Sequence, residues 1–145
     1  MNELEPPLRW HGLAKAEQLA GIRRSIEGWT ERAGLPRDLS EMVALAVYEA
    51  MANVVEHAYR DGGPGPLDVE IRHDGDAVVV IVGDEGHWHV STPTEQQYRG
   101  RGLALIERLT GQLSVMPSPN GTTVRMRWPI AAVAVRRDDG RTRRF

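Results

Sequence analysis

The stretch that decides the fold is Glu49-Ala-Met-Ala-Asn53-Val-Val-Glu56-His57-Ala-Tyr59. It continues an apolar stripe at helical spacing, formed by Val43, Val47, Ala50, Val54 and Ala58. Glu49, Asn53 and Glu56 follow at i, i+4 and i+7, so we expect them to project from one face, away from the stripe. A carboxylate and an amide at this spacing are, by themselves, typical of a solvated helix surface. Asparagine is a poor helix former, however, and gains little there.

Periodic patterns on both sides of this stretch predict a single α+β domain over residues 8–130. The first half is expected to hold a strand over 8–13, a helix from Lys15 to about Arg32 and, after Pro36, a second helix that opens at Asp38 or Ser40 and runs to about Tyr59. The second half is expected to hold a strand around 67–71, a turn at Asp74-Gly75, a buried strand over 77–82, an irregular loop over 83–98, a helix over 102–109, a strand at Leu113 and Val115, a turn over 117–121 and a strand over 123–128. This order favours a two-layer sandwich in which helices cover one face of a mixed, mostly antiparallel sheet. Residues 131–145 hold five arginines and are expected to be a disordered tail.

Composition excludes several classes of protein. The chain has 145 residues, no cysteine and a net charge of −2, and no apolar run approaches the roughly 20 residues of a membrane span. We therefore expect a cytoplasmic protein with no direct nucleic-acid or membrane partner. Lysine occurs only once, as Lys15, outside any Gly-Lys-Ser/Thr or kinase-strand context, so a P-loop and a eukaryotic-type protein kinase are both excluded.

Three further segments carry candidate site residues. Asp84 arrives as the buried strand ends and is followed by Glu85-Gly86. A buried carboxylate there needs a hydrogen-bond donor, for which an adenine amine is one candidate, while a plain turn is the simpler interpretation. Arg99-Gly100-Arg101-Gly102-Leu103 precedes a helix, where backbone N–H groups and the helix dipole favour phosphate. Gly121-Thr122-Thr123 leads into the last strand and is, alone, only a turn.

Taken in order, these segments resemble the GHKL (Bergerat) ATPase fold shared by gyrase-type ATPases, sensor histidine kinases and anti-sigma factors. The stretch from Glu49 to Tyr59 looks like the N box of anti-sigma regulatory serine kinases. The Arg-Gly-Arg-Gly-Leu-Ala-Leu-Ile run and the Gly121-Thr-Thr ending suggest the same group. The resemblance covers about residues 8–129.

The resemblance implies a role for each candidate residue. Asn53 would ligate Mg²⁺, and Glu49 would act as general base. Asp84 would accept from the adenine amine of ATP, with room for the base at Gly86 and support from Thr122 or Thr123. Phosphates would meet the backbone at Gly100 and Gly102, beside Leu103, while Arg99 or Arg101 would stabilise the transferring phosphoryl group. His57 would lie near the N box, beside the nucleotide.

The resemblance also implies a function. The protein would sequester a sigma factor and use ATP to phosphorylate a serine on an anti-anti-sigma (STAS-type) protein. The resemblance also suggests a homodimer. The sequence departs from the family pattern at Trp88, where the second glycine of Asp-x-Gly-x-Gly is usual. The alternative is therefore a non-catalytic partner-binding regulator that keeps the fold but has a degenerate ATP site.

Overall fold

The computed structural model describes residues 4–59, 62–87 and 103–130. Its elements are β1 (Leu8–Leu13), α1 (Ala16–Arg32), α2 (Arg37–Asn53), a π-helical turn (Val54–Ala58), β2 (Pro66–Asp74), β3 (Ala77–Asp84), α3 (Leu103–Leu109), β4 (Gln112–Ser118) and β5 (Gly121–Pro129). None of the helices in these ranges has the length and hydrophobicity needed to cross a bilayer.

The five strands form one sheet in the order β1-β2-β3-β5-β4. All four pairings among these strands are antiparallel, so the parallel pair allowed for in a mixed sheet is not present in the described ranges. The register aligns Asp84 with Leu67 on β2 and with Thr122 on β5. Pro117 lies in β4, which is an edge strand with no neighbouring strand on its outer side. Proline has no N–H to donate, and edge strands are where it is tolerated.

One face of the sheet is covered by the helices, as expected. Alternate residues of β2, β3 and β5 point into a shared core with Ile22, Ile26 and Trp29 of α1 and Val43, Val47 and Met51 of α2. The opposite face of β3 is also apolar, and Val79 is fully buried there. Its cross-strand neighbours are Arg72 and Arg127, whose half-buried side chains can lay their hydrocarbon stems over it. The two-layer α+β architecture is therefore confirmed.

Several predicted boundaries need correction. The second helix begins at Arg37 with Pro36 as its N-cap, and Ser40 instead pairs its hydroxyl with that of Thr30 on α1, 2.5 Å away. The β2–β3 turn is Gly75-Asp76, with Gly75 at φ 66°, since Asp74 and Ala77 already pair. At the other end of the sheet, β4 continues to Ser118, which shortens the predicted turn to residues 119–120.

The largest difference is at the C-terminal end of the second helix. The α-helix was expected to continue to about Tyr59, but it ends at Asn53 and a π-helical turn follows. The Glu56 side chain is 67% exposed whereas Asn53 is 5% exposed, so the two do not share the predicted face. The loop after His87, the Gly-x-Gly segment and the tail over 131–145 lie outside the described residues.

Candidate functional site

The first part of the site is Asn53, the last residue of α2. It is only 5% exposed, so it lies in the core layer and not on a solvated helix face. Its side-chain nitrogen Nδ2 is buried and has no hydrogen-bond partner among the described residues. A buried amide left in this condition costs about 1–3 kcal/mol, so such a group usually has a partner that binds it. A π-helical turn begins at the next residue, and such turns occur frequently at functional sites.

The second part is Asp84, the last residue of β3. It is 8% exposed, and its Oδ1 accepts backbone N–H bonds from Gly86 at 2.9 Å and from Thr122 at 3.2 Å. Two donors from separate segments fix the plane of the carboxylate. A carboxylate can accept several hydrogen bonds, so an amine is a donor of a kind that suits this position.

The third part is the contact between the π-helical turn and the loop after β3. The His87 N–H donates to the Ala58 carbonyl at 2.9 Å. The Tyr59 hydroxyl donates to the Pro66 carbonyl at 2.5 Å and accepts from the Glu85 N–H at 2.7 Å. Burial raises the pKa of Tyr59 above its ordinary value, with smaller contributions from nearby carboxylates.

Two glycines are required by close backbone approach in this region. A Cβ on Gly86 would lie 2.1 Å from the Ala58 carbonyl oxygen. A Cβ on Gly121 would lie 1.9 Å from the Asp84 carbonyl oxygen, and Gly121 also has φ 143°. The fold therefore demands glycine at position 86 even without a ligand, in addition to any room it leaves for a base.

The sequence matches a known protein family. Residues 13–128 match the model of the histidine kinase-like ATPase domain. The chain belongs to this family.

Within the histidine kinase-like ATPase family, the chain is similar to proteins named serine-protein kinase RsbW. The serine-protein kinase RsbW of Bacillus velezensis is 31% identical over 127 residues, which cover 78% of this chain and 79% of that protein. RsbW of Bacillus subtilis is 30% identical over the same length and the same shares. The prediction of an anti-sigma serine kinase of the RsbW type is therefore confirmed at the level of the family.

Solved structures agree with the fold. The RsbU and RsbW domains of Rv1364c from Mycobacterium tuberculosis superpose with a TM-score of 0.70 at 26% identity, over 85% of this chain but 32% of that one. A blue-light activated histidine kinase from Erythrobacter litoralis has a TM-score of 0.64 at 19% identity, which shows the fold alone.

The predicted site residues of this ATPase domain can now be located. Asn53, Asp84 and Thr122 are buried on the helix-covered side of the sheet. Glu49 is half-buried one turn before Asn53 on α2, and Leu103 is the first residue of α3. The described residues thus bring the N-box end and the end of β3 together.

Two other candidates, Thr123 and His57, lie beside this group. Thr123 pairs with Gly83, and both face the opposite side of the sheet from Asp84. Of the two alternatives for holding adenine, only Thr122 therefore shares a face with that carboxylate. His57 lies within the π-helical turn with its side chain 20% exposed, and its Nε2 is 3.7 Å from a Glu56 oxygen.

The remaining predicted residues, Arg99, Gly100, Arg101 and Gly102, lie outside the described ranges. Tyr59 is a residue whose contacts the sequence did not reveal. It was quoted as part of the N box, yet nothing in the sequence pairs it with Pro66 or Glu85.

The described residues fit a divalent cation held mainly by a nucleotide. They contain no group of three or more histidine, aspartate or glutamate side chains placed to hold a metal ion. Mg²⁺ is commonly held by one or two protein oxygens together with phosphates and waters. The Asn53 amide can supply one such oxygen, and a phosphate oxygen is an acceptor that would suit its buried Nδ2.

Proposed function

We propose that this protein is a cytoplasmic, ATP-dependent protein serine kinase that acts as an anti-sigma factor. Two features of the same site carry the proposal. Asn53 has a buried Nδ2 with no partner among the described residues, and Asp84 has a carboxylate oriented by two backbone donors. The first suits a metal–phosphate group, and the second suits the amine of adenine. Both lie in the layer between helices and sheet of a histidine kinase-like ATPase domain.

The binding roles follow from the chemistry of the side chains. Asn53 would ligate Mg²⁺ through Oδ1, and its Nδ2 would donate to a phosphate. Asp84 accepts from the adenine amine, and Thr122 lies beside it on β5. Gly100 and Gly102 bring backbone N–H groups to the phosphates just before α3, where the helix dipole also favours negative charge.

The catalytic roles belong to one carboxylate and two arginines. Glu49 lies at i−4 from Asn53, so the two side chains project from neighbouring turns of α2. It takes the proton from the attacking serine hydroxyl. Arg99 or Arg101 stabilises the charge on the transferring phosphoryl group, as arginines do in other phosphoryl transfers.

The partners are a sigma factor and a STAS-type anti-anti-sigma protein, bound in turn by a homodimer. Relatives named serine-protein kinase RsbW support a protein as the substrate. A phosphate placed on the anti-anti-sigma protein adds about two negative charges, which disrupts its complex with the kinase. The released kinase can then bind the sigma factor again.

Base recognition is tested by calorimetry with ATP and GTP in Mg²⁺. The unaltered protein is expected to prefer ATP, and Asp84→Asn to lose that preference, because a site built for an amine leaves groups unpaired when the amine is missing. Equal affinities for ATP and GTP in the unaltered protein would remove the role given to Asp84.

The kinase activity itself is tested with radiolabelled ATP and candidate STAS-type proteins. Transfer of label to a serine of one candidate is the expected result. If the protein binds the candidates and labels none of them, the non-catalytic regulator replaces the kinase. The sequence feature that favours that second function is Trp88, which stands where the family pattern has a glycine.

A further inference from the structure

The loop that carries Asp84 is tied to the end of the N-box helix by an unusual concentration of backbone bonds. Three successive N–H groups are all engaged: that of Glu85 by the Tyr59 hydroxyl, that of Gly86 by Asp84 Oδ1 and that of His87 by the Ala58 carbonyl. Two of these three acceptors come from the last residue of the π-helical turn and the residue after it. The position of the loop therefore depends on the position of this helix end.

Tyr59 is the side chain that makes this connection. Its hydroxyl also donates to the Pro66 carbonyl at 2.5 Å, so one oxygen joins the helix end, the start of β2 and the loop after β3. Its ring lies in a slot between two glycines. A Cβ on Gly65 would be 2.3 Å from ring atom Cε1, and one on Gly86 would be 2.9 Å from Cδ1.

The π-helical turn is what delivers the ring to that slot. A π-helical turn bonds i to i+5, so it changes the angular position of every residue after it relative to a continued α-helix. Tyr59 leaves helical geometry at φ −125°, ψ 54°, directly after the turn. The predicted α-helix through Tyr59 would have pointed the phenol elsewhere.

We propose that Tyr59 is a positioning residue for base selectivity, holding the Asp84 carboxylate where an adenine amine can reach it. Tyr59 acts through the loop and is not itself a catalytic residue. The inference rests on the proposed role of Asp84. It predicts an effect on adenine alone, because guanine presents a carbonyl oxygen where adenine presents its amine. A hydrogen bond to the amine weakens steeply as its angle and length depart from ideal.

The test compares ADP and GDP binding, by calorimetry in Mg²⁺, for the unaltered protein and three variants. Tyr59→Phe removes the hydroxyl and keeps the ring in its slot. Asp84→Asn reports on the acceptor itself. Tyr48→Phe is the matched control, since Tyr48 is a half-buried tyrosine of α2 whose ring lies 5.7 Å from the Arg23 guanidinium. All measurements are made in trimethylamine N-oxide, which favours compact states and keeps a weakened variant folded.

The expected result is that Tyr59→Phe lowers the preference for ADP over GDP about tenfold, the scale of one or two lost hydrogen bonds. Tyr48→Phe should keep the preference of the unaltered protein. In phosphoryl transfer, Tyr59→Phe should raise KM for ATP and leave kcat nearly unchanged, because the lost interaction is made equally in the ground and transition states.

Two outcomes overturn the inference while the proposed function stands. In the first, Asp84→Asn abolishes the preference for ADP while Tyr59→Phe keeps it. In the second, Tyr59→Phe weakens ADP and GDP by the same factor, as a purely structural role would. If Asp84→Asn itself keeps the preference, the role of Asp84 fails and the inference fails with it.

Discussion

Asn53 allows the site to be tested by a gain of stability. The side chain is buried and its Nδ2 lacks a partner in the described part of the chain, so the ligand-free protein carries an unpaired amide. Asn53→Leu replaces the amide by an apolar group with the same branching at Cγ. We predict that the variant folds more stably than the unaltered protein and no longer binds Mg²⁺–nucleotide tightly.

The magnitude follows from two opposing effects. Removing an unpaired buried amide relieves about 1–3 kcal/mol. The misfit of a shape-matched replacement costs less than about 1.5 kcal/mol, so the free energy of unfolding should rise by about 1 kcal/mol. For a chain of this size that is about 4 °C in Tm. In contrast, Mg²⁺ and ADP at about 100 times Kd should stabilise the unaltered protein by about 2.7 kcal/mol and the variant hardly at all.

The assay is thermal unfolding with EDTA and, separately, with Mg²⁺ and ADP. The order of stability should reverse between the two conditions. Thr30→Val is the matched control, because Thr30 is equally buried but its hydroxyl is paired, donating to the Glu27 carbonyl at 2.8 Å. It should lose about 1 kcal/mol in EDTA and keep its response to nucleotide. A ligand-free Asn53→Leu protein that melts well below the unaltered one, or that is stabilised normally by Mg²⁺ and ADP, would refute the reasoning.

Three further predictions test the rest of the reasoning. Glu49→Ala should leave nucleotide and partner binding intact but slow transfer of radiolabel to the STAS-type partner by about a hundredfold to ten-thousandfold, and a normal transfer rate would exclude Glu49 as the base. Ending the chain after Ile130 should leave Tm nearly unchanged, because Ile130 still donates its N–H to the Asp76 carbonyl at 2.8 Å; a drop of many degrees would show that residues 131–145 stabilise the body. Gly86→Ala should lower the urea midpoint strongly while Gly83→Ala should not, since an added Cβ meets a carbonyl at 2.1 Å in the first and open space in the second.

Much of the fold could be predicted because its elements carry strong local patterns. The spacing of Leu19, Ile22, Ile26 and Trp29 gave α1, and all four are buried. The unbroken apolar run of β3 predicted a buried strand, which the burial of Val78, Val79 and Val80 confirms. The family and the α+β class could be predicted from the order of the motifs along the chain. Each motif is weak by itself, but the complete order is characteristic of the family.

The details of the site could not be predicted, because they depend on contacts between distant segments. A π-helical turn at residues 54–58 has no signature in composition or periodicity. The choice between Thr122 and Thr123 depends on the register of β5 against β3, and a shift of one residue exchanges the two faces. The burial of Asn53 was not predicted for a related reason. A polar side chain one turn after Glu49 is expected to be solvated, because the sequence does not show which other segments pack against it.

The two ends of the site differ in how far the protein completes them before a ligand arrives. At the proposed base end, Asp84 Oδ1 has two backbone donors and Tyr59 joins three segments, so the carboxylate proposed to accept from adenine is already oriented. At the proposed metal end, Asn53 Nδ2 has no partner among the described residues, and bound phosphate and Mg²⁺ would satisfy it. Interactions that are already in place do not have to be ordered on binding, which favours affinity for the base. A buried group that only the metal–phosphate unit can satisfy has a different effect. Binding of the nucleotide would then raise the stability of the folded protein, so nucleotide binding and the stability of the N-box helix end would be coupled.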